Sequence, residues 1–259
     1  MKNNKNVLFA GLLILIGCSN LIGAAERGQN SVDDLSKQLL RAAKDGNSGA
    51  VRGLLAANAN METANKWGET PLIVAAARGE LDVVRGLLAA KANMDTADDW
   101  GNTPFHHAAK GGYVDVVREL IAAKANMDIV NKCDFTALLK AVLHEKLDVV
   151  KALLAANANV DTDDGCGHTP LIGAIVGNNL NVVRALLDAR ANLSTQNNDG
   201  KTPFEIAEKI GHAGIIQILR EALATREREL EADREYLLTG PLALVPLCGI
   251  FKDYLIREK

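Results

Sequence analysis

The apolar positions of the chain fall into short stripes of helical spacing that come in pairs. Leu72, Ala75 and Ala76 share one face of a helix that opens at Thr70-Pro71, and Val83, Val84, Leu87 and Leu88 form a wider stripe over residues 81–89. A threonine can cap the first helix, and proline at its first position gives up only an N–H that has no helical partner anyway. Gly79 is placed to close that helix in a left-handed conformation. Two helices of roughly three turns or fewer cannot bury such stripes alone, so the pattern demands further layers.

Those layers are written in the chain as repeats. Trp67-Gly68-Glu69-Thr70-Pro71-Leu72 returns as Trp100-Gly101-Asn102-Thr103-Pro104-Phe105, as Cys133-Asp134-Phe135-Thr136-Ala137-Leu138, as Cys166-Gly167-His168-Thr169-Pro170-Leu171 and as Asp199-Gly200-Lys201-Thr202-Pro203-Phe204, always 33 residues apart. Asp82-Val83-Val84, Asp115-Val116-Val117, Asp148-Val149-Val150 and Asn181-Val182-Val183 keep the same step, as do the Ala-Asn pairs that begin at Ala59, Ala92, Ala125, Ala158 and Ala191. Three motifs in one register mean that each unit stacks on the next to complete its core.

This pattern resembles the ankyrin repeat, with Phe105-His106-His107-Ala108-Ala109 the nearest copy of its Leu-His-x-Ala-Ala segment. The resemblance implies an all-α solenoid of helix-turn-helix units with projecting hairpin loops and a concave binding face. Its units are expected at 34–66, 67–99, 100–132, 133–165, 166–198 and 199–223, followed by a tail over 224–259. It also implies that His106 hydrogen-bonds a neighbouring loop, with His107 more exposed.

Some units depart from the pattern. The first has Lys37-Gln38 in place of Thr-Pro but keeps Leu39, Ala42, Ala43, Val51, Leu54 and Leu55, as a terminal cap with one apolar face would. The fourth has Asp134 for glycine, Ala137 for proline and Glu145 where Gly79 and Gly112 stand, so the array is expected to be weakest there. After the second helices come Asn58, Lys91, Lys124, Asn157 and Arg190, where a cation near the helix C-terminus offsets part of the strain of a left-handed turn.

Composition agrees with thin helical layers. Of 259 residues, 38 are Ala and 35 Leu, whereas only 4% are aromatic. An apolar share of 48% excludes a disordered chain, and a net charge of -3 without a basic run argues against nucleic acid as partner.

Cys133 and Cys166 hold equivalent positions of adjacent units, where stacked helices stand about 8–10 Å apart, beyond the ~7 Å between Cα atoms that a disulfide tolerates. They are expected as free thiols near loop tips. With His144 and His168 they match no metal-ligand spacing, so neither metal nor cofactor is expected. No nucleophile–base grouping or phosphate-cradling loop is legible, which leaves a non-catalytic role.

The family geometry would put loop tips and first-helix edges on the binding face. These are Lys66, Trp67, Glu69 and Arg78, then Asp99, Trp100, Asn102 and Lys110, then Phe135, Leu143 and His144, then His168, then Lys201 and Lys209. Trp67, Trp100, Arg78 and Phe135 are the residue types that dominate interface energetics. The other reading of the tryptophans is that each packs over its neighbouring loop.

Both termini carry separate signals. Lys2 and Lys5 precede an apolar stretch over Val7–Ile16, too short to span a bilayer, and Gly23-Ala24-Ala25 suits cleavage, so 1–25 reads as a signal peptide. Leu15-Ile16-Gly17-Cys18 resembles the lipobox of bacterial lipoproteins, which would make Cys18 a lipidation site and the only membrane attachment. Residues 220–235 are rich in charge with sparse Leu219, Leu223 and Leu230, as a solvated helix would be, and the apolar run after Leu237 is broken by Gly240, Pro241, Pro246 and Gly249. The expected protein is an exported monomer, periplasmic, envelope-anchored or secreted, that binds a protein partner. An envelope spacer tethered through Cys18, or a host-directed adaptor docking through its tail, are the other readings.

Overall fold

The computed structural model describes residues 33–239. The expected signal peptide with Cys18 and the broken apolar run of the tail lie outside the described residues, which form helices and turns without a strand. They divide into two compact units, one ending at Asn159 and the other beginning at Val160.

The first unit holds helical residues 33–44 (α1), Ser48–Ala56 (α2), Pro71–Arg78 (α3), Leu81–Ala89 (α4), Pro104–Gly111 (α5), Val114–Ala122 (α6), Ala137–Leu143 (α7) and Leu147–Ala155 (α8). Here α3 packs on α5 and α5 on α7, while α2, α4, α6 and α8 form a second row, each touching the next. Paired alanines make the first row possible: Ala75, Ala76, Ala108 and Ala109 are buried and let backbones approach closely. Val83, Val84 and Leu87 of α4, with Val116, Val117 and Leu120 of α6, fill the space between rows.

The second unit contains Pro170–Val176 (α9), Leu180–Asp188 (α10), Pro203–Ile210 (α11) and Ala213–Thr239 (α12). In it α9 packs on α10 and α11, and α12 on both α10 and α11. Helix α12 runs unbroken through 223, so the last repeat and the charged tail share one helix. Its apolar stripe fades along its length: Leu219 is fully buried, whereas Leu230 is 75% exposed. Arg226 donates to the Ala191 carbonyl at 2.8 Å and Arg190 pairs with Glu229 at 2.7 Å, which ties this helix to its own unit. Among the described residues no helix is long and apolar enough to cross a membrane.

Helix starts follow the threonines. The hydroxyls of Thr70, Thr136, Thr169 and Thr202 accept the N–H groups of Ile73, Leu139, Ile172 and Glu205. Ala137 replaces proline without moving the start of α7. Helix ends respond more strongly. Gly79 and Gly112 take φ 76° and 79°, whereas Glu145 and Asn178 are forced to φ 58° and 54° at the equivalent places. There α7 and α9 are seven residues long, one fewer than α3 and α5. Asn58, Lys91, Lys124, Asn157 and Arg190 also have positive φ, so the first five copies keep this left-handed turn without glycine, whereas α12 continues through the equivalent position in the sixth.

Candidate functional site

Each hairpin tip is closed by one side-chain oxygen. Asn65 Oδ1 accepts the N–H groups of Trp67 and Glu69 at 2.9 and 3.1 Å. Asp98 does the same for Trp100 and Asn102 at 2.9 and 2.8 Å, and Asn131 for Cys133 and Phe135 at 2.9 and 3.0 Å. Neighbouring tips are joined through backbone: Asp99 donates to the Trp67 carbonyl and Lys132 to that of Trp100, both at 3.0 Å. This close approach explains the glycines that follow the tryptophans. A β-carbon on Gly68 (φ 76°) would lie 2.8 Å from Asp99 N, and one on Gly101 (φ 79°) 2.8 Å from Lys132 N.

The tip backbones are thus fixed while the two indoles stand open. Trp67 is 47% and Trp100 53% exposed. Lys66 Nζ sits 4.5 Å from the centre of the Trp67 ring, a cation–π contact. Lys140 lies similarly over half-buried Phe135, at 5.4 Å.

Beneath the tips runs a buried polar network. His106, 2% exposed, has Nε2 2.8 Å from the Phe135 carbonyl oxygen, and its Nδ1 accepts the Thr103 N–H at 3.1 Å. A ring nitrogen that accepts from an amide must be unprotonated. Burial, with the charges of Lys140 and His107, accordingly holds His106 at a pKa of about 4 despite the hydrogen bond to Phe135. His107 is half-buried and donates through Nε2 to Asp98 Oδ2 at 2.8 Å. Burial pushes the Asp98 carboxyl up, but the bonds from His107, Asn102 and Trp100 outweigh it and leave the group below the ordinary aspartate value.

The expected binding residues divide by how their side chains are engaged. Glu69 accepts from Asn65 Nδ2 at 2.7 Å and Asn102 Oδ1 from Asn131 Nδ2 at 2.8 Å, so both brace tips. Lys66, Trp67, Arg78, Asp99, Trp100, Lys110, Leu143 and His144 are exposed in the first unit. Arg78 and Trp67 line a groove of about 660 Å³ with Arg41, Lys44, Asp45 and Glu69. His168, Lys201 and Lys209 belong to the second unit, where His168 is engaged with Asp164 at 3.0 Å. Cys133 and Cys166 are exposed free thiols.

One group of side chains that sequence spacing did not reveal has the donor types of a metal site: Glu69, Asp98 and His107, whose ligand atoms lie within 4.8 Å of one another. Each of the three residues already holds a hydrogen bond. Asp98 Oδ1 is taken by two amides and Oδ2 by His107, while Glu69 holds Asn65. These residues brace the tip, and among the described residues no hydroxyl or thiol is a hydrogen-bond partner of the His107–Asp98 pair.

Sequence reasoning also missed a ladder along the loops. The N–H groups of Asn93, Asn126 and Asn159 are accepted by Glu62, Asp95 and Asp128 of the preceding repeat at 2.8–3.0 Å, and within the second unit Asn192 by Asp161 at 2.8 Å. The signal was present as an acid recurring every 33 residues.

The comparisons with known proteins agree with this construction. The family model of ankyrin repeats matches in three copies, at residues 39–132, 87–164 and 138–227. The ankyrin repeat domain of Bcl-3, described as a member of the IkappaB protein family, is similar at 28% identity and a TM-score of 0.68 over 71% of this chain and 85% of that one. An ankyrin repeat domain from Acinetobacter baumannii is similar at 27% identity and a TM-score of 0.68, over 71% and 97% of the two chains. EF0377, an ankyrin repeat protein at 23% identity and a TM-score of 0.68, shares the fold over 71% and 97% of the two chains. No curated protein matches. Repeat motifs, helix pairs, tip geometry and a family match over most of the chain lead to one assignment: the chain belongs to the ankyrin-repeat family, a fold that generally serves as a non-enzymatic scaffold for protein–protein interaction.

Proposed function

We propose that the protein is an exported binding module that grips a protein partner with the hairpin tips and first-helix ends of the unit ending at Asn159. The observation that carries this reading is the pair of open indoles, Trp67 and Trp100, on tips whose backbones are already locked. An aromatic held rigidly in solvent loses little freedom on binding, and tryptophan and arginine are enriched among residues that dominate interface energy. Arg78 and the groove beside Trp67 extend the surface. Selection of binders from a displayed random-peptide library tests it. Binders should be lost on combined Trp67→Ala and Trp100→Ala with helix content unchanged, and binders indifferent to both substitutions would remove the reading.

Export is supported by Lys2, Lys5, the apolar stretch and Gly23-Ala24-Ala25. The sequence Leu15-Ile16-Gly17-Cys18 favours a second reading, an envelope-anchored module lipidated at Cys18. The mass of the mature N-terminus separates them: a lipid-modified Cys18 supports anchoring, and an unmodified terminus near residue 26 supports release.

A further inference from the structure

We propose that the surface formed by the ends of α5 and α7 in the first unit takes an acidic segment of a partner protein, with carboxylates on Lys110, Lys140, His144 and Lys146 and an apolar side chain on Leu143. This rests on the reading of the unit as a protein-binding module and adds the partner's chemistry.

Three lysines and a histidine are assembled from two consecutive repeats. Lys110 stands in the last turn of α5, Lys140 within α7, His144 at its C-terminal cap, and Lys146 just before α8. The Lys146 stem folds back over the end of α5, where a β-carbon on Gly112 would lie 2.9 Å from its Cδ. Leu143, 46% exposed, sits among them, and Lys140 is propped over the Phe135 ring.

Among the described residues none of these lysines is in an ion pair, although the exposed Glu145 stands between His144 and Lys146 in the chain and an ionised Cys133 thiol would act on Lys140. The ion pairs of the first unit lie elsewhere: Arg41 with Asp45, Arg85 with Asp82 and Glu119, and His107 with Asp98. Asp98, an acid whose charge reaches Lys140, is buried and engaged by His107. The cations oppose each other: after burial, the charge of Lys110 holds the Lys140 ammonium below its ordinary value, and Lys110, Lys140 and Lys146 do the same to His144. A chain of net charge -3 that leaves such a group unpaired presents a surface of opposite sign to its whole. Charge complementarity then favours an acidic ligand. The exposed Leu143 suits a peptide side chain and offers a phosphate backbone nothing, and a net negative protein attracts a nucleic acid poorly.

The test uses fluorescently labelled short peptides of alternating Glu and Leu, Gln and Leu, or Lys and Leu, and a single-stranded oligonucleotide, each titrated against the whole protein. The Glu/Leu peptide should bind at least about tenfold more tightly than Gln/Leu, with an advantage that shrinks as salt rises. Lys110→Gln with Lys140→Met, which keeps the stem over Phe135, should erase that advantage, and Lys110→Glu with Lys140→Glu should transfer preference to Lys/Leu. Equal affinity for Glu/Leu and Gln/Leu, an advantage that survives both double variants, or tighter binding of the oligonucleotide would overturn the inference. If tryptophan-dependent library binders still exist in that case, the binding-module reading stands without it. If none exist, that reading has failed as well.

Discussion

His106 Nε2 lies 2.8 Å from the carbonyl oxygen of Phe135, so a ring rooted in α5 holds the next hairpin tip in place. The two bonds coexist only on a neutral ring, because Nδ1 must stay unprotonated to accept the Thr103 N–H while Nε2–H donates to Phe135. The folded protein keeps this histidine uncharged down to a pKa of about 4, whereas an ordinary histidine titrates near 6.5. Between these values the unfolded chain binds the extra proton, so stability is complete above 6.5 and falls as pH drops towards 4. At roughly 1.4 kcal/mol per pKa unit the loss reaches about 3 kcal/mol. His106→Gln keeps a donor and an acceptor without a titrating ring. It should remove most of this slope in denaturant titrations across the window while changing stability at neutral pH by less than about 1 kcal/mol. An undiminished slope would contradict the assignment.

Glu145 pays for a left-handed turn that Gly79 and Gly112 adopt freely. Glu145→Gly should raise the unfolding free energy by up to about 1 kcal/mol. Amide exchange over residues 133–146 should be faster than over 100–113 in the parent protein and should slow in the variant. Equal protection of the two segments would show that the strain is absorbed elsewhere.

At the tips, stability and binding should separate. The neighbouring repeat bonds the carbonyls of Trp67 and Trp100, not their rings, so alanine at either position should cost no more than about 0.5 kcal/mol in thermal unfolding. Gly68→Ala should cost roughly 1–3 kcal/mol, since its β-carbon meets the Asp99 amide at φ 76°. The reverse order would mean that the indoles are structural packing.

The acidic ladder gives a further test between repeats. Asp95→Ala leaves the Asn126 N–H without its acceptor and should lower stability by about 0.5–1.5 kcal/mol, whereas Asp95→Asn, which retains an oxygen, should cost less. Equal effects from both substitutions would assign the stabilisation to charge.

Much of this architecture was legible in the sequence because it repeats. Helix α4 could be placed over residues 81–89 from Val83, Val84, Leu87 and Leu88, and the left-handed turns from the glycines at one offset. The side-chain braces were harder to see. Asn65, Asp98 and Asn131 look like ordinary loop residues until the hydrogen bonds show one oxygen closing each tip, and Glu69 with Asn102 looked like surface until those bonds occupied them. The unbroken course of α12 was hidden for another reason: its apolar stripe ends before the helix does, so periodicity marks only its packed part.

The most direct test of the binding surface is an amide hydrogen-exchange footprint of the whole protein saturated with a library-selected peptide. Protection should concentrate at residues 66–69, 78, 99–102 and 135, with little change along α4, α6 and α8. Protection centred on those second-row helices, or confined to the unit beginning at Val160, would contradict the account.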